Sequence, residues 1–279
     1  MRTWFITGAT RGFGTLIAKE ALARGDNVVA TGRKAEAVVA ALGEHPRLLP
    51  LALDVTREAD AEAAVARALA RFSRIDVLVN NAGYGVLGAV EETSARQVEQ
   101  LYATNVFGLL SVTRAVVPSM RQHRSGHVIN ISSLGGYRSG AGFGVYCSTK
   151  FAVEGLSEAL SEELAPFGVH VTVVEPGYFR TDFLDASSLV HAETLIDAYA
   201  DTVVGQLRGR VAALNHAQPG DPTKLAVAFM RLVELPKPPQ RLALGSDTVQ
   251  TIEAKHAFVA GELAEHRALS LSTDFDTAK

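Results

Sequence analysis

The residues Trp4-Phe5-Ile6-Thr7-Gly8-Ala9-Thr10-Arg11-Gly12-Phe13-Gly14 run from a short apolar segment, through three glycines, into a helix-spaced segment at 16–23. A strand, a glycine-rich turn and a helix make the first half of a β-α-β unit. Outward from this start the alternation repeats. Apolar or β-branched runs occupy 28–30, 48–53, 77–79, 127–131 and 169–174, and Ala-rich segments with helical spacing occupy 59–71, 98–120 and 151–164. Strands that are apolar throughout and alternate with helices imply a parallel sheet covered on both faces by right-handed crossovers. The expected fold class is α/β, a doubly wound parallel sheet of Rossmann type, which binds ligands at the carboxyl ends of its strands.

The 279 residues read as a single domain, 1–279, with no linker before residue 180. Residues 178–217 lack clear strands and carry scattered apolar groups, so a helical insertion covering the substrate site is expected after the sixth strand. Pro236-Lys237-Pro238-Pro239 precedes a late strand at 241–244, residues 248–265 read as a helix, and 266–279 as a mobile tail. The 27 basic and 30 acidic residues leave a net charge of −3, which gives no footprint for nucleic acid. A single cysteine, Cys147, excludes an internal disulfide and a Cys-rich metal site. The eight histidines show no paired metal spacing, and His123 and His127 are expected at the surface. Glu91-Glu92 and Glu162-Glu163 read as solvated helix faces. No run approaches the roughly 20 apolar residues of a membrane helix, and the first residues are too short an apolar run for a signal peptide. A cytoplasmic protein without metal is expected.

Glycines at the start of the first helix let the backbone turn sharply and approach a pyrophosphate, whose charge suits a helix N-terminus. A flexible turn is the plain alternative. The spacing is Gly-x-x-x-Gly-x-Gly. It is followed in order by Asn80-Asn81-Ala82-Gly83, Asn105, Ser133, Tyr146-Cys147-Ser148-Thr149-Lys150, and Pro176-Gly177 with Thr181. With this series the chain resembles the short-chain dehydrogenase/reductase family over about residues 3–260. The resemblance implies an oxidoreductase with a nicotinamide dinucleotide cofactor. It assigns cofactor contacts to Gly8, Thr10, Arg11, Gly12, Phe13 and Gly14 in the first loop, and to Asp54 and Val55 at the adenine. Asn81, Ala82 and Gly83 fall at the adenosine ribose, and Pro176, Gly177, Phe179 and Thr181 at the nicotinamide. Asp54 could equally cap a helix beginning near residue 57, and Asn80 reads as structural.

Tyr146 and Lys150 are four apart on an expected helix and share a face. A phenol, with an ordinary pKa of about 10, is a poor base at neutral pH. A nearby ammonium lowers that value, and an oxidised nicotinamide lowers it further. Tyr146 then gives a proton to a carbonyl oxygen or takes one from an alcohol, and Lys150 also bonds the nicotinamide ribose. The family's spacing places Ser133, rather than Ser132, against the substrate oxygen; a one-residue slip would exchange them. The resemblance implies that Asn105 holds a water in a proton relay, with a mid-helix asparagine of no function as the alternative.

The second strand runs into Val29-Ala30-Thr31-Gly32-Arg33-Lys34, with no carboxylate for the ribose hydroxyls of NAD. Arg33 and Arg11 suit the extra phosphate of NADP, so NADP(H) is expected over NAD(H), unless both are solvated surface charges. Substrate contacts are expected from residues 84–87, from 134–145 with Tyr137 and Phe143, and from 178–199 with Phe179, Phe183, Leu184, Leu189, Leu195 and Ile196. This apolar set favours a hydrophobic ketone, aldehyde or secondary alcohol, although the same side chains could pack on one another or at a subunit interface. The helices at 98–120 and 151–164 resemble those that pair subunits in the family, implying a homodimer or homotetramer. The expected partner is thus a small carbonyl or alcohol, with no nucleic acid and no membrane. The alternatives are NAD-dependent alcohol oxidation at the same site and a dinucleotide-binding redox sensor without turnover.

Overall fold

The computed structural model describes residues 1–275. Seven strands form one parallel sheet: β1 (Thr3–Ile6), β2 (Asn27–Gly32), β3 (Leu48–Ala52), β4 (Val77–Asn80), β6 (Gly126–Ile131), β7 (Val169–Pro176) and β9 (Arg241–Leu244). Their order is β3-β2-β1-β4-β6-β7-β9. The chain steps outward from β1 to β3, then returns to β4 and proceeds the other way. The loops leaving β1 and β4 therefore part, and open a crevice at the carboxyl ends of the strands.

The alternation along β1 shows how the layers assemble. Trp4 and Ile6 face one side, where α1 (Gly12–Ala23) and α8 (Pro222–Leu232) cover them with Ile17 and Phe229. Phe5 faces the other, beneath α3 (Glu58–Phe72) and α5 (Leu109–His123), against Ala64, Val112 and Val116. Both faces are dry, which is why these strands read as unbroken apolar runs rather than as alternating ones.

Three expectations change. The helix read at 98–120 is α4 (Ala95–Tyr102), a π-helical turn at Ala103–Gly108, and α5 in one continuous rod. Periodicity does not register one widened turn, and Asn105 lies within it. The insertion at 178–217 is not wholly helical. It holds α7 (Val203–Leu214) but also β8 (Leu189–His191), which pairs in parallel with β5 (Gly85–Leu87). Strands of three residues are too short to show alternation, and their pairing joins segments far apart in sequence. The segment expected as a tail contains α10 (Arg267–Leu271), after α9 (Ser246–Glu265), while 276–279 lie outside the described residues. Among the described residues no helix is long and apolar enough to cross a membrane.

Candidate active site

The glycine loop joins β1 to α1, with glycine at its strained or crowded positions. Gly8 has φ +65° and Gly12 φ +55°, a left-handed backbone that side chains disfavour. A Cβ on Gly14 would stand 2.5 Å from the Gly8 carbonyl oxygen and 2.6 Å from Asn81 Nδ2. Asn81 explains the crowding: its Nδ2 donates to the Thr7 and Gly8 carbonyls at 2.9 and 3.0 Å. Thr7 Oγ1 in turn accepts the N–H groups of Asn81 and Ala82. The loops after β1 and β4 are thereby fixed as one surface. Asn80 turns inward instead, donating to Thr113 and Asn130 at 2.9 Å, and is structural.

The N-cap of α1 is Arg11, whose side chain caps nothing. The first N–H groups of a helix require acceptors, and here they face the crevice with the positive end of the helix dipole. This uncapped start and the crowded glycine cradle fit a dinucleotide pyrophosphate. The rest of the expected cofactor set is placed as follows. Thr10 packs against Gly32 at the end of β2, where a Cβ would meet its methyl at 2.5 Å. The loop carrying Arg11 is thus pressed against the segment carrying Arg33, and both are exposed. Arg11 donates to the Ser187 carbonyl oxygen at 2.7 Å, which ties this loop to the insertion. Phe13 meets Phe179 edge to face at 5.4 Å. Thr181 lies against Gly12, and its hydroxyl accepts the Phe183 N–H. Pro176 closes β7 against Leu244 of β9, and Gly177 leaves room for the Asp247 carboxylate that accepts the Tyr178 N–H. Asp54 does not cap α3, whose N-cap is Arg57; its carboxylate accepts from the Thr56 N–H and hydroxyl. Val55 is buried against Gly108.

The four expected catalytic side chains converge beside this crevice. Tyr146 and Lys150 lie in the first two turns of α6 (Gly144–Leu164), and both are buried. Lys150 Nζ stands 5.9 Å from the centre of the Tyr146 ring and donates to the Ile131 carbonyl oxygen at 2.9 Å. The Ser133 hydroxyl accepts the Gly135 N–H at 3.0 Å and sits beside the Tyr146 phenol. Ser132 faces away, buried toward Gly136. Gly83 separates Asn105 from Lys150: a Cβ there would lie 3.1 Å from Asn105 Oδ1 and 3.8 Å from Lys150 Nζ. The Asn105 amide donates to the Tyr84 carbonyl oxygen at 2.9 Å and to Thr149 Oγ1 at 3.1 Å, and its oxygen accepts the Tyr84 N–H at 3.1 Å. The π-helical turn thus locks the loop after β4 to α6.

Burial governs the charges. It pushes the Tyr146 phenol above its ordinary value, with Ser133 opposing the rise. It pulls the Lys150 ammonium down to about 8, with Glu154 opposing the fall. The direction is opposite to the expected lowering, because desolvation outweighs the Ser133 hydrogen bond. Cys147 is buried and its thiol pushed up, as a packing residue should be.

An apolar wall surrounds the phenol. Phe143 and Phe183 stand 6.1 and 5.7 Å from the Tyr146 ring, with Tyr84 and Val86 in the same cluster. Leu184 and Leu189 pack nearby with Leu87, whereas Leu195 is exposed. Tyr137 leaves the site altogether, bonding His256 on α9 beneath Arg241. Two readings of charged residues are also corrected. Glu92 is not solvated: it is buried, paired with Arg208. His127 is buried in β6 against Thr172, not at the surface. Sequence spacing offered no signal for the Arg208 pairing, since its partner lies more than a hundred residues away.

A family model described as short chain dehydrogenase matches residues 2–189. A 3-ketodihydrosphingosine reductase of Bacteroides thetaiotaomicron is 36% identical over 250 residues, 90% of each chain. The crystal structure of a short-chain dehydrogenase from Streptomyces avermitilis is 44% identical, with a TM-score of 0.89 over 98% of this chain and 100% of that one. A serine dehydrogenase solved with NADP+ is 31% identical, with a TM-score of 0.73 over 87% of this chain and 94% of that one. On sequence and fold alike, the chain belongs to the short-chain dehydrogenase family of oxidoreductases.

Proposed function

We propose that the enzyme transfers a hydride between NADP(H) and a hydrophobic ketone, aldehyde or secondary alcohol, with Tyr146 as general acid and base. The observation that carries this reading is the grouping of buried Tyr146, Lys150 and Asn105 with half-buried Ser133 beside the glycine cradle. The bound nicotinamide supplies or receives the hydride. In reduction, Tyr146 gives its proton to the substrate oxygen, while Ser133 hydrogen-bonds that oxygen as charge develops on it. Lys150 stabilises the phenolate left behind. Asn105 ties the Tyr84 backbone to the Thr149 hydroxyl beside Lys150, and would hold the relay water that the family resemblance assigns to it.

The preference for NADP(H) is supported by the exposed Arg33 and Lys34 at the end of β2, where no carboxylate stands. The similar serine dehydrogenase was solved with NADP+. Phe143, Phe183 and Val86 around the phenol favour an apolar substrate, and a relative is named for reducing a ketone. Exposed Phe107 on the π-helical turn and Phe151 on α6 support a homodimer or homotetramer through these helices. The test mixes the protein with NADPH or NADH and a panel of hydrophobic ketones and aldehydes, and follows nicotinamide absorbance. Faster consumption of NADPH is expected, with Arg33→Ala narrowing the preference about tenfold. Equal affinities for the two cofactors would overturn the preference. Tight binding with no turnover across the panel would favour the sensor reading.

A further inference from the structure

Behind Lys150 lies a buried charged cluster that the proton chemistry above does not use. Glu154 follows Tyr146 and Lys150 at four-residue spacing on α6, so all three share a helix face. Glu154 is 4% exposed and pairs with Arg241 on β9. The same guanidinium reaches Glu175 on β7, itself 1% exposed, at 2.8 Å, and Glu158 at 2.6 Å. Glu154 Oε1 and the Ser132 hydroxyl are buried without hydrogen-bond partners. Both face Gly136, where a Cβ would lie 2.8 Å from the first and 2.3 Å from the second.

Glu154 is faced by Arg241 from β9, Glu175 from β7 and Ser132 from the turn after β6; Lys150 and Glu158 stand one turn before and after it on α6, and among the described residues Lys150 forms no ion pair. Tyr137 and His256 lie beyond Arg241. One guanidinium shared among three carboxyl groups does not neutralise them. Lys150 has the opposite problem. It is buried, and its hydrogen bond goes to a neutral carbonyl, which offers a dipole but no counter-charge.

We propose that Glu154 is the counter-charge that keeps Lys150 an ammonium inside the protein, a positioning residue that acts on Tyr146 through Lys150. The inference rests on the role given to Lys150 above. Burial first, and then the Glu175 carboxyl, raise the Glu154 pKa, while Arg241 pulls it back. Glu154 therefore gains its charge at higher pH than an ordinary glutamate, toward the range where Lys150 titrates. Removing it leaves the buried ammonium without the carboxylate one turn along its own helix.

The test reads Lys150 itself and needs no substrate. Full-length protein carrying [6-13C]lysine is titrated by NMR, with the Lys150 resonance assigned by its loss in Lys150→Arg. Glu154→Gln is expected to lower the Lys150 midpoint by about one pH unit, a tenfold shift in its ionisation. Glu154→Asp, which keeps the charge, should restore most of it. In the wild type, the same resonance should show a smaller second inflection where [5-13C]glutamate labelling finds Glu154 titrating, so the result does not hang on the variant folding. A folded Glu154→Gln protein with an unmoved midpoint, or a wild-type curve with no second inflection, would overturn the proposal. An enzyme that turned over no carbonyl could still show the shift, so failure here and failure of the proposed function are separable.

Discussion

Tyr146 sits where its own burial works against ionisation, and Ser133 and Lys150 are the neighbours able to oppose it. Tyr146→Phe removes only the proton-bearing oxygen. Turnover should fall by about 10²–10⁴-fold, while NADPH affinity, measured by fluorescence quenching, stays within about twofold. A wild-type rate in this variant would remove Tyr146 from the chemistry. The two adjacent serines make a sharper comparison. Ser133 lies beside the phenol and Ser132 faces Glu154 and Gly136, because consecutive residues leaving a strand point to opposite sides. Ser133→Ala should cost kcat more than Ser132→Ala; the reverse order would mean the roles are exchanged. The four-residue step from Tyr146 to Lys150 was legible in sequence, since a helix dictates which side chains share a face. The rest of the Lys150 environment was not, because Ile131 and Asn105 come from other elements.

At the scale of elements, the insertion after β7 is held to the body by a strand and an ion pair. β8 pairs with β5, and the Glu92 carboxylate gathers the Ala89 N–H at 2.8 Å, the Ile196 N–H at 2.9 Å and both of its oxygens on Arg208. Burial alone would raise the Glu92 pKa; the backbone and guanidinium donors outweigh it and hold the carboxyl below its ordinary value. Glu92 thus joins the turn after β5, the loop after β8 and α7. Glu92→Ala leaves the half-buried Arg208 and two N–H groups without their acceptor, costing on the order of 2 kcal/mol. Limited proteolysis should then cut within 190–210 well before the sheet unfolds, and apparent KM should rise more than kcat falls. Unchanged cleavage kinetics would show that β5 and β8 hold the insertion without it. Neither the strand pair nor the ion pair was readable beforehand. Three apolar residues make no period, and Glu91-Glu92 looks in sequence like any acidic pair.

The whole molecule is organised by the reversal of strand order between β1 and β4, which makes the crevice where the glycine cradle and Tyr146 meet. Its stability should depend on pH through His127, buried in β6 with Nε2 2.9 Å from Thr172 Oγ1. Burial first, then His170 and Arg2, pull its pKa from 6.5 to about 3. Above 6.5 both the folded and unfolded chains hold it neutral. Between 6.5 and 3 the unfolded chain binds a proton that the folded one does not. Stability therefore falls as pH drops through that window, by up to about 1.4 kcal/mol per unit. Urea melts from pH 7.5 to 4.5 should show this slope, and His127→Gln should flatten it; parallel curves would assign acid sensitivity elsewhere. Sequence by itself determined the doubly wound class, the placing of the glycine loop and the Tyr146–Lys150 pair. These rest on local chemistry: runs of buried side chains, turns that only glycine makes, and the pitch of a helix. Tertiary structure alone decided that Tyr137 leaves the site, and that Glu92, Glu154 and His127 are buried. Burial and charge pairing are properties of surfaces brought together from distant parts of the chain, and no local pattern encodes which surfaces will meet.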